Sequence, residues 1–360
     1  MSNLSPTLLY IPDISGFTDF VNTTEINHSS HIISELLEII INSDKCDMIV
    51  SEIEGDAVLF FKDDIPSISK LIEQCKQTFI NFHTYLQQYD TERICRCGAC
   101  ETASKLSLKF IIHQGDIEKI SIRDHQKLHG KDLILAHRLL KNSITEKEYI
   151  LITNPFKLDP DSTEIEKMEW VSLKEGSDIY DNSEETNYSY IPIKSLLADL
   201  PEPKPISIPG LSHNKTTIET TIHAPMDIIY ENYTNLFKRK EWNENINDII
   251  LHGNSLNKVG SSHTCLVGQY SLNIESIGRM ESRDQIVYSE RVEKFKGLRD
   301  IISIYTFRKE GNNTYVKVEV DYKIDSWLGE FMKPIIRKIL KKRTINGLLK
   351  LKKVSEKNAV

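Results

Sequence analysis

Asp13 and Asp56 have the surroundings that point most directly to chemistry. Asp13 closes the apolar run Leu8-Leu9-Tyr10-Ile11-Pro12 and precedes Ser15-Gly16-Phe17-Thr18, where a new element starts. Asp56 follows Gly55 at the hinge between two strand-like runs, Glu52-Ile53-Glu54 and Ala57-Val58-Leu59-Phe60. A carboxylate at each of two strand ends, beside a glycine turn into a helix, suits a divalent metal bridging to phosphate. Hard carboxylate oxygens take Mg²⁺ or Mn²⁺, and the backbone N–H groups of Gly16 and Phe17 can face phosphate oxygens. Taken singly, Asp13 also suits a helix cap and Asp56 a hairpin turn. Together, in this order, the pair favours metal and phosphate.

The elements that must position this pair follow from periodicity. Residues 7–13 form a strand; 24–44 form a helix with Ile32, Ile33, Leu36, Leu37, Ile40 and Ile41 on one stripe; 47–54 and 57–62 form a hairpin. A second helix spans 67–89. After the polar loop 91–104, the run LSLKFIIHQG is a strand ending at His113-Gln114-Gly115, with 117–122 as its partner. A turn and helix follow from Gly130, and Tyr149–Thr153 is another strand. This first domain covers 1–198. The stretch 199–213 is a linker, extended by the four prolines between Asp199 and Pro209. The second domain, 214–360, opens with a strand at 216–222 and a proline-started helix at 225–236. Four alternating strand runs and a long helix from Gly329 to Lys353 complete it. The fold class is α+β in both halves.

With these elements in order, the residues resemble a known family. Asp13-Ile14-Ser15-Gly16-Phe17-Thr18 is similar to the first metal-binding motif of class III nucleotide cyclases, and Gly55-Asp56-Ala57-Val58-Leu59 to the second. Ile112-His113-Gln114-Gly115 resembles that family's strand ending in His-x-Gly, and the run from Gly130 to Leu139 its next turn and helix. The resemblance covers about residues 5–160 and implies a ferredoxin-like cyclase catalytic fold. It also implies a role for each matched position. Asp13 and Asp56, with the Ile14 carbonyl, would hold two metal ions; one activates the ribose 3′-hydroxyl of a nucleoside triphosphate, and the other neutralises the departing pyrophosphate. Arg138 would stabilise transition-state charge across a homodimer.

Three positions bear on activity and base choice. Ile134 stands where the family has a hydrogen-bonding asparagine, which points to the alternative of a catalytically degenerate module that binds nucleotide or dimerises. Glu52 falls at the base-selecting position, where glutamate accepts from guanine N–H groups, so GTP is favoured over ATP; a solvated strand residue is the alternative. The partner specificity position falls near Lys127 and carries neither family residue.

Cys95, Cys97 and Cys100 form a C-x-C-x-x-C set for which zinc is the candidate, with Cys46, His113 or a residue of a second chain as fourth ligand. A reduced, redox-reactive loop is the alternative; Cys75, on an apolar helical face, reads as core. A comparable insertion marks a subset of bacterial cyclase-like proteins of unknown function. From Thr216 on, the strand, the His223-Ala224-Pro225 joint, Trp242 and the closing helix resemble the START-like, polyketide-cyclase-type helix-grip fold, which implies a cavity for a hydrophobic small molecule or lipid. The closing helix reads as a lid with a solvated basic face, or else as a contact for an anionic membrane.

Composition sets outer bounds. At 360 residues, 39% hydrophobic and 27% charged, the chain suits about two globular domains. The formal charge is −7, yet residues 326–360 hold ten Lys/Arg against two acids, a local +8 that leaves −15 elsewhere. Nucleic acid is therefore not the expected partner of the main body. No apolar run reaches transmembrane length and no signal-peptide order is seen, so a cytoplasmic protein is expected.

Overall fold

The computed structural model describes residues 6–22, 26–96, 98–123, 125–153, 165, 168–180, 185–211, 214–243, 245–252, 258–325 and 331–359. The chain divides into two compact units, Met1–Gln88 with Glu101–Pro203, and Tyr89–Cys100 with Lys204–Val360. Both mix helices with a seven-stranded sheet, as the α+β class requires.

Unit 1 runs β1 (Pro6–Ser15), α1 (Phe17–Asn22), α2 (Ile26–Asn42), β2 (Ile49–Glu54), β3 (Ala57–Lys62), α3 (Ile68–Glu92, whose last turn counts with unit 2), α4 (Gly98–Thr102, which crosses back), β4 (Ser107–Asp116), β5 (Glu118–Ile122), β6 (His125–His129), α5 (Lys131–Leu139), β7 (Tyr149–Thr153), β8 (Lys174–Asp178) and β9 (Thr186–Pro192). The sheet order is β2-β3-β1-β4-β7-β9-β8. Strand β1 lies antiparallel between β3 and β4, and β4 runs parallel to β7. Its residues from Thr7 to Ile14 are all buried. A strand covered on both faces reads as a continuous apolar run, which explains why LLYIP shows no alternation. On one face Leu9 and Ile11 pack with Leu133, Ala136 and Leu139 of α5. On the other, Tyr10 meets Phe60, Phe110 and the Cys75 and Thr78 side chains of α3. Cys75 is wholly buried, the core position its helical stripe indicates.

One pairing differs from the sequence expectation. Residues 117–122 do not pair with the strand before them. Strand β5 turns back at Arg123, which has φ +55°, to pair with β6 in a separate two-stranded sheet. The polar run His125–His129 is that partner.

Unit 2 contains β10 (Thr216–Ile222), α6 (Met226–Thr234), α7 (Leu236–Trp242), β11 (Asp248–Leu251), β12 (Ser262–Val267), β13 (Tyr270–Ser282), β14 (Gln285–Phe295), β15 (Leu298–Glu310), β16 (Asn313–Ile324) and α8 (Lys333–Asn358). Its sheet order is β10-β16-β15-β14-β13-β12-β11, antiparallel throughout. The core joins Ile222, Ile229, Tyr230, Tyr288, Phe307, Val316 and Val318 to Leu348 and Leu351 of α8. The proline-rich stretch carries no helix or strand from Leu200 to Leu211. Its Ser207 carbonyl and Ile208 side chain lie so close to Gly278 that a Cβ there would meet them at 3.0 and 3.1 Å.

Two features of unit 2 depart from the sequence reading. The cysteine-bearing segment, assigned by sequence to the first domain, belongs to unit 2 from Tyr89 to Cys100. Ile94 enters its core, and the Tyr230 hydroxyl donates to the Ile94 carbonyl at 3.0 Å. Helix α8 is no lid along its whole length. Its buried residues are Leu348, Leu351 and Ser355, whereas Ile335 and Ile339 are about half exposed.

Candidate functional site

The cross-strand register brings the two sequence-marked aspartates to one end of the unit 1 sheet. Asp13 pairs across to Ala57 of β3, the neighbour of Asp56, and the Ile14 N–H donates to the Asp56 carbonyl at 3.0 Å. Gly16 adopts φ +89° and its carbonyl accepts from Phe20, opening α1. Gly55 takes φ +62° in the β2–β3 turn, with the Phe17 ring 4.0 Å from where its Cβ would stand. Both glycines sit in the left-handed region that costs other L-residues about 1 kcal/mol or more. Asp13, Gly16, Phe17, Gly55 and Asp56 therefore converge.

Asp13 continues the Leu9–Ile11 face and is buried, at 8% exposure. Its partner is Lys109, the residue opposite it on β4, with Nζ 3.0 Å from Oδ2. The same ammonium donates to the Leu140 carbonyl at 2.9 Å. Lys109 is not among the residues that the motifs mark. Its signal was the lone cation in the apolar run before His113. Burial, and then the Asp13 charge, raise the Asp56 carboxyl above its ordinary range; Lys109 offsets only part of this. Two carboxylates that repel each other at adjoining strand ends are a donor set that a divalent cation stabilises. The Asp13 and Asp56 oxygens are of the hard kind that such an ion takes. Among the described residues no group of three or more His, Cys, Asp or Glu side chains gathers as a metal cluster.

The remaining sequence-marked positions lie on neighbouring elements. Glu52 is half-buried on β2, next to a register shift between Val50 and Glu52. Ile134 and Arg138 sit one turn apart on α5; Ile134 is 52% exposed and Arg138 half-buried. His137 Nδ1 lies 3.4 Å from Glu54 of β2, which ties α5 to the hairpin. Lys127 is exposed on β6. His113 is buried, with Nδ1 3.0 Å from the Thr153 hydroxyl and Nε2 3.7 Å from Asp132; burial lowers its pKa. Cys95 and Cys100 are buried in unit 2, and Cys100 Sγ accepts from the Tyr89 hydroxyl at 3.1 Å. Cys97 lies outside the described residues. Cys46, offered as a fourth thiol, is buried in unit 1.

Unit 2 holds a buried polar cluster that the sequence reading missed. Arg239 Nη2 lies 2.5 Å from Glu290 Oε1, with both side chains under 10% exposed. Tyr233 and Tyr288 donate to the Glu290 carboxylate at 3.0 and 2.9 Å, and Ser276 shares a hydrogen bond with Tyr288. Arg239 also donates to the Tyr233 carbonyl at 2.7 Å and lies over the Tyr233 ring at 4.3 Å. The charges of Arg239, and its hydrogen bond, hold Glu290 below its ordinary pKa despite burial, which alone would raise it. His263, buried nearby, is pushed down to about 4 by burial and the Arg239 charge. This part of the unit 2 interior is charged and aromatic. A separate cleft of about 580 Å³ lies by the start of α6, lined by Arg96, Arg283 and Lys309 and by Asp227 and Glu281. Arg96 pairs with Asp227 inside it.

Residues 33–149 match a family described as a protein of unknown function, DUF2652. A Mycobacterium tuberculosis protein, itself uncharacterized, is 31% identical over 121 residues, 34% of this chain; the chain spans just over half of that relative, 57% of its length. Among solved structures, the adenylyl cyclase CyaB from P. aeruginosa aligns at 14% identity and TM-score 0.35, covering 52% of this chain and 93% of that one. The guanylate cyclase domain of RhGC from Catenaria anguillulae, in complex with GTP, aligns at 15% identity and TM-score 0.36, covering 53% and 97%. A truncated norcoclaurine synthase from Thalictrum flavum aligns at 11% identity and TM-score 0.33, covering 41% and 97%.

Proposed function

We propose that unit 1 is a cyclase-type module that holds a metal–nucleoside triphosphate at Asp13 and Asp56, works as a homodimer, and cyclises GTP in preference to ATP. The observation that carries this reading is the convergence of Asp13 and Asp56 beside the start of α1, with the Asp56 carboxyl raised partly by the Asp13 charge. Asp13, Asp56 and the Ile14 carbonyl are the metal ligands in this reading. A divalent cation bound there supplies charge neutralisation for the triphosphate and activates a ribose hydroxyl. The chain's own groups do the rest. Gly16 and Phe17 offer backbone N–H groups to phosphate, Glu52 accepts from the guanine edge, and Arg138 from a second copy offers a planar guanidinium to developing phosphate charge. Lys109 pairs with Asp13 and holds its carboxylate in place. The experiment is incubation of the purified chain with each nucleoside triphosphate and Mn²⁺, followed by chromatography for cyclic nucleotide and pyrophosphate. GTP should give both products. The absence of product from every triphosphate would remove the catalytic claim.

A second reading has its own observation. Ile134 is exposed on α5 and has no side-chain hydrogen-bonding group where a ribose would need one. On this reading unit 1 binds Mn²⁺–GTP without turnover, and unit 2 carries the function by binding a small molecule. Nucleotide binding that is lost in Asp56→Asn, with no cyclic product from the unmodified chain, would select it.

A further inference from the structure

Helix α8 carries an outward apolar stripe in addition to the residues it buries. At 3.6 residues per turn, Ile335 and Ile339 lie roughly opposite Leu348, Leu351 and Ser355, the residues buried in unit 2. The C-terminal half is anchored: Lys352 donates to the Thr221 carbonyl at 2.9 Å, and Asn232 donates to the Ser355 hydroxyl at 3.1 Å. That anchoring turns Ile335 and Ile339 away from the unit's own core, at 54% and 49% exposure, with Leu349 at 58% on the same outer side. A lid would place its apolar residues on the opposite face. The outward stripe is therefore suited to something other than the unit 2 interior.

Charge identifies what fits it. Residues 331–343 contain six Lys/Arg and no acid. Arg337, Lys338, Lys341, Lys342 and Arg343 are all exposed. Helical geometry places Lys338 and Lys342 along one edge of the stripe and Arg343 along the other. Long basic side chains bordering an apolar stripe can reach phosphate headgroups while the stripe enters the acyl boundary. A second copy of the same helix would bring two such basic edges together and be repelled. Nucleic acid satisfies the charge but offers no apolar surface for Ile335 and Ile339.

We propose that the N-terminal half of α8 docks the chain on an anionic lipid surface, the helix lying in the plane of the interface. Among the described residues no helix is long and apolar enough to cross a membrane, so this is surface binding. The attraction has an electrostatic part that salt screens and an apolar part that it does not.

The test is co-sedimentation of the full chain with vesicles of phosphatidylcholine alone and of phosphatidylcholine mixed with phosphatidylglycerol. The chain should pellet with the mixed vesicles only. The partition coefficient should fall at least about tenfold between ~0.1 M and ~0.5 M salt. Ile335→Glu/Ile339→Glu should abolish binding with an unchanged melting temperature, because both residues are exposed. Lys338→Glu/Lys342→Glu should weaken it. Failure to pellet with either vesicle would overturn the proposal. So would vesicle binding that ignores Ile335→Glu/Ile339→Glu, since the stripe would then play no part. If the same variant instead lowers the oligomeric state in lipid-free solution, a second copy covers the stripe and the lipid assignment is wrong. Equal competition by an oligonucleotide against both parent and variant would reduce the feature to bare charge, again contradicting it.

Discussion

Replacing Glu290 with glutamine preserves shape and removes one charge from the interior of unit 2. In the folded chain Arg239 and Glu290 meet at 2.5 Å, both under 10% exposed, and two tyrosine hydroxyls complete the carboxylate's hydrogen bonds. Removing one partner of a buried pair strands the other charge, which costs about 3–5 kcal/mol. Arg239 keeps its bond to the Tyr233 carbonyl and its place over the Tyr233 ring, so the lower end, about 3 kcal/mol, is expected. Unit 2 has roughly 170 residues, for which each kcal/mol moves the melting temperature about 2–4 °C. The predicted fall is therefore about 6–12 °C, read by differential scanning calorimetry of the full chain. Arg239→Met/Glu290→Gln removes the stranded charge and should recover most of the loss, because exchanging both members of a buried pair is often near neutral. A fall below about 3 °C for the single change, or a double variant that loses the sum of both singles, would refute the reasoning.

Acid should weaken unit 2 in a defined window. His263 has its folded pKa lowered from 6.5 to about 4, so the unfolded chain binds more protons between those values and stability rises with pH across that window. The contribution is fully present above about pH 6.5, and about 3 kcal/mol is lost by pH 4; His263→Leu should flatten the slope in urea titrations at several pH values. The lowered pKa of Glu290 works in the same sense at still lower pH: its contribution is present above the usual carboxylate value and lost as pH falls through the lowered one. At the candidate site, the raised Asp56 carboxyl means a proton competes with metal, so Mn²⁺ affinity measured by calorimetry should fall from pH 7 to pH 5. Lys109→Met leaves the buried Asp13 facing Asp56 without its cation and should lower the stability of unit 1 by about 3 kcal/mol, the low end for a buried pair, in the absence of metal; added Mn²⁺ should return part of it. Gly16→Ala at φ +89° should cost about 1 kcal/mol, since alanine pays for a left-handed backbone that glycine adopts freely.

The legible part of the fold was what local pattern governs. Strand β1, helices α2 and α3 and the β2–β3 hairpin follow from apolar spacing and from Gly55 and Gly16, whose positive φ the structure requires. What sequence did not reveal was set by long-range pairing. Lys109 meets Asp13 through the β1–β4 register, 96 positions apart in the chain; a lone cation in an apolar run marks Lys109 as unusual but does not name its partner. Arg239 and Glu290 are charges on separate elements, and a charge in an alternating strand reads as solvated until the opposite face is known to be covered. The β5–β6 hairpin was missed because His125–Lys127 is polar and its turn rests on Arg123, a residue seldom found at positive φ. Chain order likewise gives no sign that Ile94 is buried with Tyr230, the packing by which the cysteine segment counts with unit 2.

The central claim is a metal–nucleotide site at Asp13 and Asp56. Its most direct test is GTP binding and turnover with Mn²⁺ present or removed by chelator, measured side by side on the unmodified chain and on Asp56→Asn. The account predicts Mn²⁺-dependent GTP binding and cyclic product in the first and loss of both in the second. GTP binding that is indifferent to Mn²⁺ and to Asp56→Asn, or no binding at all, would contradict it.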